Sequence, residues 1–272
     1  MTPPVALSIA GSDSGAGAGL QADLKTFAAL GVFGTCAVTA ITAQNTREVR
    51  HVHTLSPGLV AAQVTTVLND MPVVAVKTGM LGDAAIITAV VDLAEAGRLP
   101  NLVVDPVVVS STGTRLLDGD AEGCYLDRLF PHACVITPNL AEAAALLGTG
   151  IRTGADRQEA ARALGAAGPE VVVLKGGHPL PGDDGDAVDV VWDGTRCTEL
   201  RAPRIDSVNV HGTGCSFASA VAAGLARGLD VDEALRAAKA FVHRAIAGSA
   251  RWCLGAGHGP LDHFGFDQEE PT

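Results

Sequence analysis

Short apolar runs of four to eight residues alternate with stretches of helical period along nearly the whole chain. That alternation leaves few folds open. Residues 5–10, 36–43, 73–77, 102–109, 134–137 and 170–175 read as strands, with Pro106 marking an end or an irregularity. Between them, Leu20, Leu24, Phe27 and Ala28 mark one helix face that Gly31 stops. Ser56-Pro57 reads as an N-cap and first helical residue, and Asp83 as the cap of the next helix. Residues 140–147, 213–227 and 231–250 are Ala-rich helices. Asp193-Gly194, between the runs 188–192 and 195–200, is a hairpin signal. Strand–helix alternation of this kind predicts an α/β chain of parallel strands joined by right-handed crossovers, with helices on both faces. No repeat or linker divides it, so residues 1–272 read as one domain. Residues 179–186 read as a mobile acidic loop and residues 266–272 as a frayed polar end.

Composition narrows the function. Hydrophobic residues make up 47% and charged residues 18% of the 272, which excludes disorder over most of the length. The net charge is −11 and no basic run occurs, so a nucleic-acid groove is not expected. Six scattered cysteines without a CxxC predict reduced thiols rather than a disulfide framework. No apolar stretch approaches the ~20 residues of a membrane span. The residues before the first strand carry no basic leader. The expectation is a soluble, cytoplasmic protein without a membrane partner.

In a doubly wound sheet, ligands sit beyond the carboxyl ends of the strands. After the first strand comes Gly11-Ser-Asp-Ser-Gly15-Ala-Gly17-Ala-Gly19, either a tight turn or a loop that lets backbone approach a ligand. It is not a dinucleotide fingerprint: the GxGxxG spacing is absent, and Gln44 stands where an acidic residue would. No Walker A lysine exists either. Near the other end, His211-Gly212-Thr213-Gly214-Cys215 opens a helix, so several N–H groups converge as an anion hole and a Cys215 thiolate is favoured. Asp105, Asn139 and Glu142 follow strands and are suitable oxygen donors for hydrated Mg²⁺, or else a cap and a first-turn charge. Lys175 beside Gly176-Gly177 fits a phosphate clamp. Together these groups point to phosphoryl transfer. His211, four residues before Cys215, leaves a cysteine hydrolase as a rival. The eight histidines form no metal motif, and His51 and His53 lie in an exposed segment.

The ordered set Ile9-Ala-Gly-Ser-Asp-Ser-Gly15, Gln21-Ala-Asp23, Thr42-Ala-Gln44-Asn45-Thr, Lys77-Thr-Gly79-Met80, Asp105-Pro-Val107, Thr137-Pro-Asn139, Lys175-Gly-Gly-His178 and His211-Gly-Thr-Gly-Cys215 resembles the hydroxymethylpyrimidine/phosphomethylpyrimidine kinases of thiamine biosynthesis, within the ribokinase-like family. The resemblance runs from about residue 5 to Phe264. It implies a three-layer α/β/α sandwich with a mostly parallel sheet, and ATP-dependent phosphorylation of a hydroxymethylpyrimidine to the mono- and then the diphosphate. It places Gly11, Asp23, Gln44, Met80 and Val107 around the pyrimidine, with Gln44 on the aminopyrimidine edge. It gives Asp105, Asn139 and Glu142 to Mg²⁺ and its waters, and Lys175 to the ATP phosphates. Gly212, Thr213 and Gly214 become the hole for the transferred phosphoryl, and Cys215 the base, where sugar kinases of the fold usually carry Asp. Relatives are often homodimers. Two departures stand out: Ala16 in the first loop, and residues 110–114, where relatives often carry a Lys and an Asp. The second departure bears on the second phosphorylation. A pyridoxal or pyridoxine kinase on the same fold, or a non-catalytic ligand-binding relative, is the alternative.

Overall fold

The computed structural model describes residues 2–107, 121–177 and 179–266. Its nine strands are β1 (Val5–Ser12), β2 (Phe33–Gln44), β3 (Val49–Thr54), β4 (Val73–Thr78), β5 (Leu102–Val104), β6 (Val135–Ile136), β7 (Val171–Leu174), β8 (Asp186–Trp192) and β9 (Cys197–Pro203). They form one sheet in the order β3-β2-β1-β4-β5-β6-β7-β8-β9. From β2 to β7 the neighbours are parallel. β3 lies antiparallel on one edge, and the β8–β9 hairpin lies antiparallel on the other. The chain runs outward from β1 to β3, then returns to β4 on the far side of β1. The crevice between the ends of β1 and β4 is therefore the topological switch point, where such sheets bind ligands.

Alternating strand residues feed two cores. Leu7, Ile9, Val76, Val104, Ile136 and Val172 face α2 (Pro57–Asp70), α3 (Ala84–Glu95), α5 (Leu140–Leu147) and α6 (Gly154–Gly165). Ala6, Ala75, Val103, Val135 and Val173 face α1 (Gly19–Ala29), α7 (Thr213–Ala226) and α8 (Val231–Ser249). A sheet covered on both faces needs apolar residues at consecutive positions, hence the short unbroken runs. A short helical stretch, α4 (Ala121–Cys124), continues through a π-turn and a 3₁₀ turn to His132. The expected caps form: Ser56 Oγ accepts from the Leu59 N–H and Asp83 Oδ1 from the Ile86 N–H. Among the described residues, no helix is long and apolar enough to cross a membrane, and no disulfide joins any of the six cysteines.

The structure corrects the sequence reading in four places. β3 was not expected, because an exposed edge strand buries no face and carries no apolar stripe. α6 was also missed; its apolar content is low, but Thr153 and Asp156 form a capping box that signals its start. β5 and β6 are shorter than the apolar runs around them. Finally, residues 179–186 are anchored: Asp183 is buried, accepts from Arg157 at 2.8 Å and from the Leu180 N–H at 2.8 Å. Residues 108–114, His178 and the end beyond Phe266 lie outside the described residues.

Candidate active site

Asp13 organises the first glycine loop. Its carboxylate accepts from the N–H groups of Gly15 (2.8 Å), Gly17 (3.0 Å) and Ala18 (2.9 Å), and His211 Nε2 lies 3.0 Å from Oδ2. Burial alone would raise the Asp13 pKa, but His211 and the N–H groups of Ala18 and Gly15 hold it below the ordinary carboxylate value. The glycines serve close packing. A Cβ on Gly17 would run into the His211 ring, and one on Gly212 into the Gly17 carbonyl. Gly212 also has φ +85°, a conformation that excludes most side chains. Ser14 Oγ donates to the Gln44 carbonyl and accepts from the Gln44 N–H, both at 2.8 Å, so the loop also pins the end of β2. The Gln44 amide lies 3.3 Å from His211 Nε2. Met80 packs its terminal methyl where a Cβ on Gly11 would stand. Gly11, Gln44 and Met80 are thus gathered at the switch point. Val107 is half-buried just beyond β5.

Gly212, Thr213, Gly214 and Cys215 form the first turn of α7, where N–H groups lack partners within the helix, although that of Thr213 donates to the Val210 carbonyl at 3.2 Å. A Cβ on Gly214 would lie 3.0 Å from Lys175 Nζ and 3.8 Å from Asp105 Oδ2, so the lysine and the carboxylate face this turn. Lys175 Nζ donates to Asp105 Oδ1 at 2.7 Å. Burial would lower the lysine pKa, but Asp105 and Glu142 outweigh it and raise it. Glu142 is driven well above the ordinary carboxylate range by burial, partly offset by Lys175 and reinforced by Asp105. The phenol of Tyr125, wholly buried and without a partner for its oxygen, lies within electrostatic reach of both acids.

Three expected residues take other work. Asn139 caps α5: its Oδ1 accepts from the Glu142 N–H at 2.9 Å, while Glu142 Oε2 accepts from the Asn139 N–H at 2.7 Å. The cap is formed, and it takes one of the two lone pairs of this oxygen. Asp23 has no exposed surface; Lys77 Nζ, Ser8 Oγ (2.6 Å) and Ser219 Oγ (2.7 Å) all donate to it. It lies under the pocket instead of lining it. Cys215 is not a ready thiolate. Burial, with Asp23 and Asp105, pushes its thiol up to about 11, against the opposing pull of Lys77 and the Gly19 N–H. Dehydration here outweighs the helix terminus. Lys77, the residue missed as part of the site, was hidden in a strand run; a lysine in a run that faces two cores was the available signal.

Among the described residues, no three His, Cys, Asp or Glu side chains converge to hold a metal. Two carboxylates with water and phosphate oxygens are the set Mg²⁺ typically takes. Asp105 and Glu142, held near one lysine and an unpartnered phenol, fit that set.

A mostly parallel sheet covered by helices on both faces, with a glycine turn opening α7 against a lysine and an acid beyond the carboxyl ends of the strands, is the architecture of a phosphotransferase of the ribokinase-like class. Within that class the chain belongs to the phosphomethylpyrimidine kinase family, whose model matches residues 13–262. It is 48% identical over 264 residues to a hydroxymethylpyrimidine/phosphomethylpyrimidine kinase of Rhizobium meliloti (strain 1021), covering 96% of this chain and 97% of that one. Among solved structures, it resembles an ADP complex of Bacillus subtilis pyridoxal kinase with TM-score 0.89 and 37% identity, over 98% of this chain and 100% of that one. It also resembles phosphomethylpyrimidine kinase from Clostridium difficile 630, with TM-score 0.77 and 38% identity, over 89% and 99%.

Proposed function

We propose that this kinase phosphorylates 4-amino-5-hydroxymethyl-2-methylpyrimidine from ATP, first to the monophosphate and then to the diphosphate. The observation that carries the reading is the approach of Lys175 and Asp105 to Gly214, in the crevice where Gln44 and Met80 also end. The Gln44 amide offers a donor and an acceptor to the aminopyrimidine edge, and Met80 and Val107 pack on the ring beside Gly11. An open cleft of about 520 Å³ lined by Gly177, Pro179, Ile205 and Val210 leads away from the end of β7 and suits the nucleoside of ATP. Lys175 faces the phosphates. The N–H groups of Gly212 and Gly214 stabilise charge on the transferred phosphoryl, where positioning and electrostatics supply most of the catalysis. Asp105 and Glu142 would hold Mg²⁺, which when bound neutralises phosphate charge.

In the transfer, the substrate hydroxyl oxygen bonds to the γ-phosphorus as the bond to the ADP oxygen breaks. The hydroxyl proton passes to the Cys215 sulfur in its thiolate form. At neutral pH that form is minor, since burial keeps the thiol protonated. A neutral resting thiol leaves room for an acceptor that already carries a phosphate, which a carboxylate in its place would repel.

The resemblance to a pyridoxal kinase keeps a second flat hydroxymethyl heterocycle in view. ADP release with Mg-ATP against hydroxymethylpyrimidine, its monophosphate, pyridoxal and ribose tests both. Turnover on both pyrimidines is expected. Turnover on pyridoxal alone would move the function to that vitamer, and no turnover on any of the four would make the chain a binding protein.

A further inference from the structure

Two side chains meet at His211 Nε2, and hydrogen-bonding capacities allow one arrangement at that nitrogen. Asp13 Oδ2 lies 3.0 Å from His211 Nε2 and the Gln44 amide 3.3 Å from the same nitrogen. An ionised carboxylate only accepts, so Nε2 carries a proton and has no lone pair to offer. The Gln44 group facing it must then accept, which makes it the carbonyl oxygen. The other end of the amide, 3.2 Å from Thr42 Oγ1, is then the NH₂ once the two ends are exchanged. Thr42 can accept there because its own proton goes to the Ser12 carbonyl at 2.9 Å. In the structure the amide nitrogen is the end toward His211 and the oxygen the end toward Thr42. The two ends are alike in shape, so the partners decide between them.

We infer that the Asp13–His211 pair positions the Gln44 amide, carbonyl toward His211 and NH₂ toward Thr42, and thereby selects the heterocycle edge that the pocket accepts. One N–H and one lone pair of Gln44 remain for the substrate. The edge that satisfies both is a ring-nitrogen acceptor beside an amine donor, as in an aminopyrimidine. The pair also adds a side-chain link between the first glycine loop and the α7 turn, which already pack together at Gly17 and Gly212. Asp13 holds the first glycine loop through three N–H groups, while His211 precedes the Gly212 turn by one residue. The inference rests on the proposed reading of Gln44 as a substrate contact.

Two measurements test it. In the free protein, ¹⁵N spectra of histidine-labelled protein, with His211 assigned by the signal lost in His211→Gln, report which ring nitrogen is protonated. Protonated Nε2 is expected, and an unprotonated Nε2 overturns the inference. His211→Phe keeps a ring over Gly17 and deletes the donor. It is expected to raise KM for the aminopyrimidine at least tenfold while kcat and KM for ATP change less than threefold. Any other pattern, a loss carried by kcat above all, overturns it. Should the Phe variant not fold, the ring measurement decides alone. That measurement needs no substrate. If the wild type does not turn over the pyrimidine, the proposed function fails, while the protonation result still judges the pair.

Discussion

Lys77 on β4 closes a bidentate ion pair with Asp23 on α1, its Nζ 2.9 Å from Oδ1 and 2.8 Å from Oδ2, and neither side chain has exposed surface. Ser219, four residues after Cys215 on the same face of α7, donates to Asp23 as well. One carboxylate, that of Asp23, therefore ties β4, α1 and α7 together a turn below Cys215. Burial alone would lower the Lys77 pKa, but the Asp23 charge keeps it raised.

Removing one partner of this pair strands a charge in the core. Lys77→Met is expected to cost about 3–5 kcal/mol of stability, read as a shift of the urea midpoint at unchanged slope. The double variant Lys77→Met, Asp23→Asn should recover most of that loss, because no charge is left buried. A single variant as stable as wild type would mean that the pair contributes nothing net.

Gly212 is required by its backbone and by its neighbour. Gly212→Ala adds about 1–2 kcal/mol for left-handed backbone and drives a methyl into the Gly17 carbonyl. The first turn of α7 must shift, and with it the anion hole. A fall in kcat of roughly 100-fold, with the far-UV spectrum unchanged, is expected in steady-state assays.

The thiol of Cys215 titrates late. Below a pKa of about 11, the thiolate fraction rises about tenfold per pH unit. Iodoacetamide labelling of Cys215, taken as the difference from Cys215→Ala, should therefore climb steadily from pH 7 to 10 without a plateau. A plateau near pH 8 would contradict the dehydrated setting. Cys215→Ala should fold normally and lose most turnover.

Glu142 carries a linkage signature. Its pKa is raised in the folded chain, so between the unfolded and folded values the native state binds more protons than the unfolded one. Stability then falls as pH rises through that window. Glu142→Gln removes the buried charge and can keep the cap through its amide oxygen. In metal-free buffer it should gain stability over wild type as pH goes from 5 to 8, by about 1.4 kcal/mol for each pKa unit of the shift. A constant difference across that range would refute the linkage.

Features made by neighbours in sequence were legible. Ser56, Asp83 and Asp193-Gly194 act within three residues of themselves, so their helix starts and hairpin could be read directly. The order of glycines, acids and lysine at strand ends was legible for a similar reason: a parallel sheet delivers every strand end to one side. Asn139 was read toward the metal, although its local use as a cap was open from the spacing to Glu142.

Partners far apart in sequence were not legible. Asp23 is buried by Lys77, 54 positions on, and by Ser219, 196 positions on. His211 finds Asp13 across 198 positions. The sequence by itself determined the strand–helix alternation, the caps and the side of the sheet where chemistry gathers, because these follow from backbone geometry and local hydrogen bonds. Only the tertiary structure decided which acid is a buried counterion, how far Cys215 is from ionising and what holds Gln44. Those outcomes depend on how much water is excluded and which charges are brought together, and both are set by packing between distant segments.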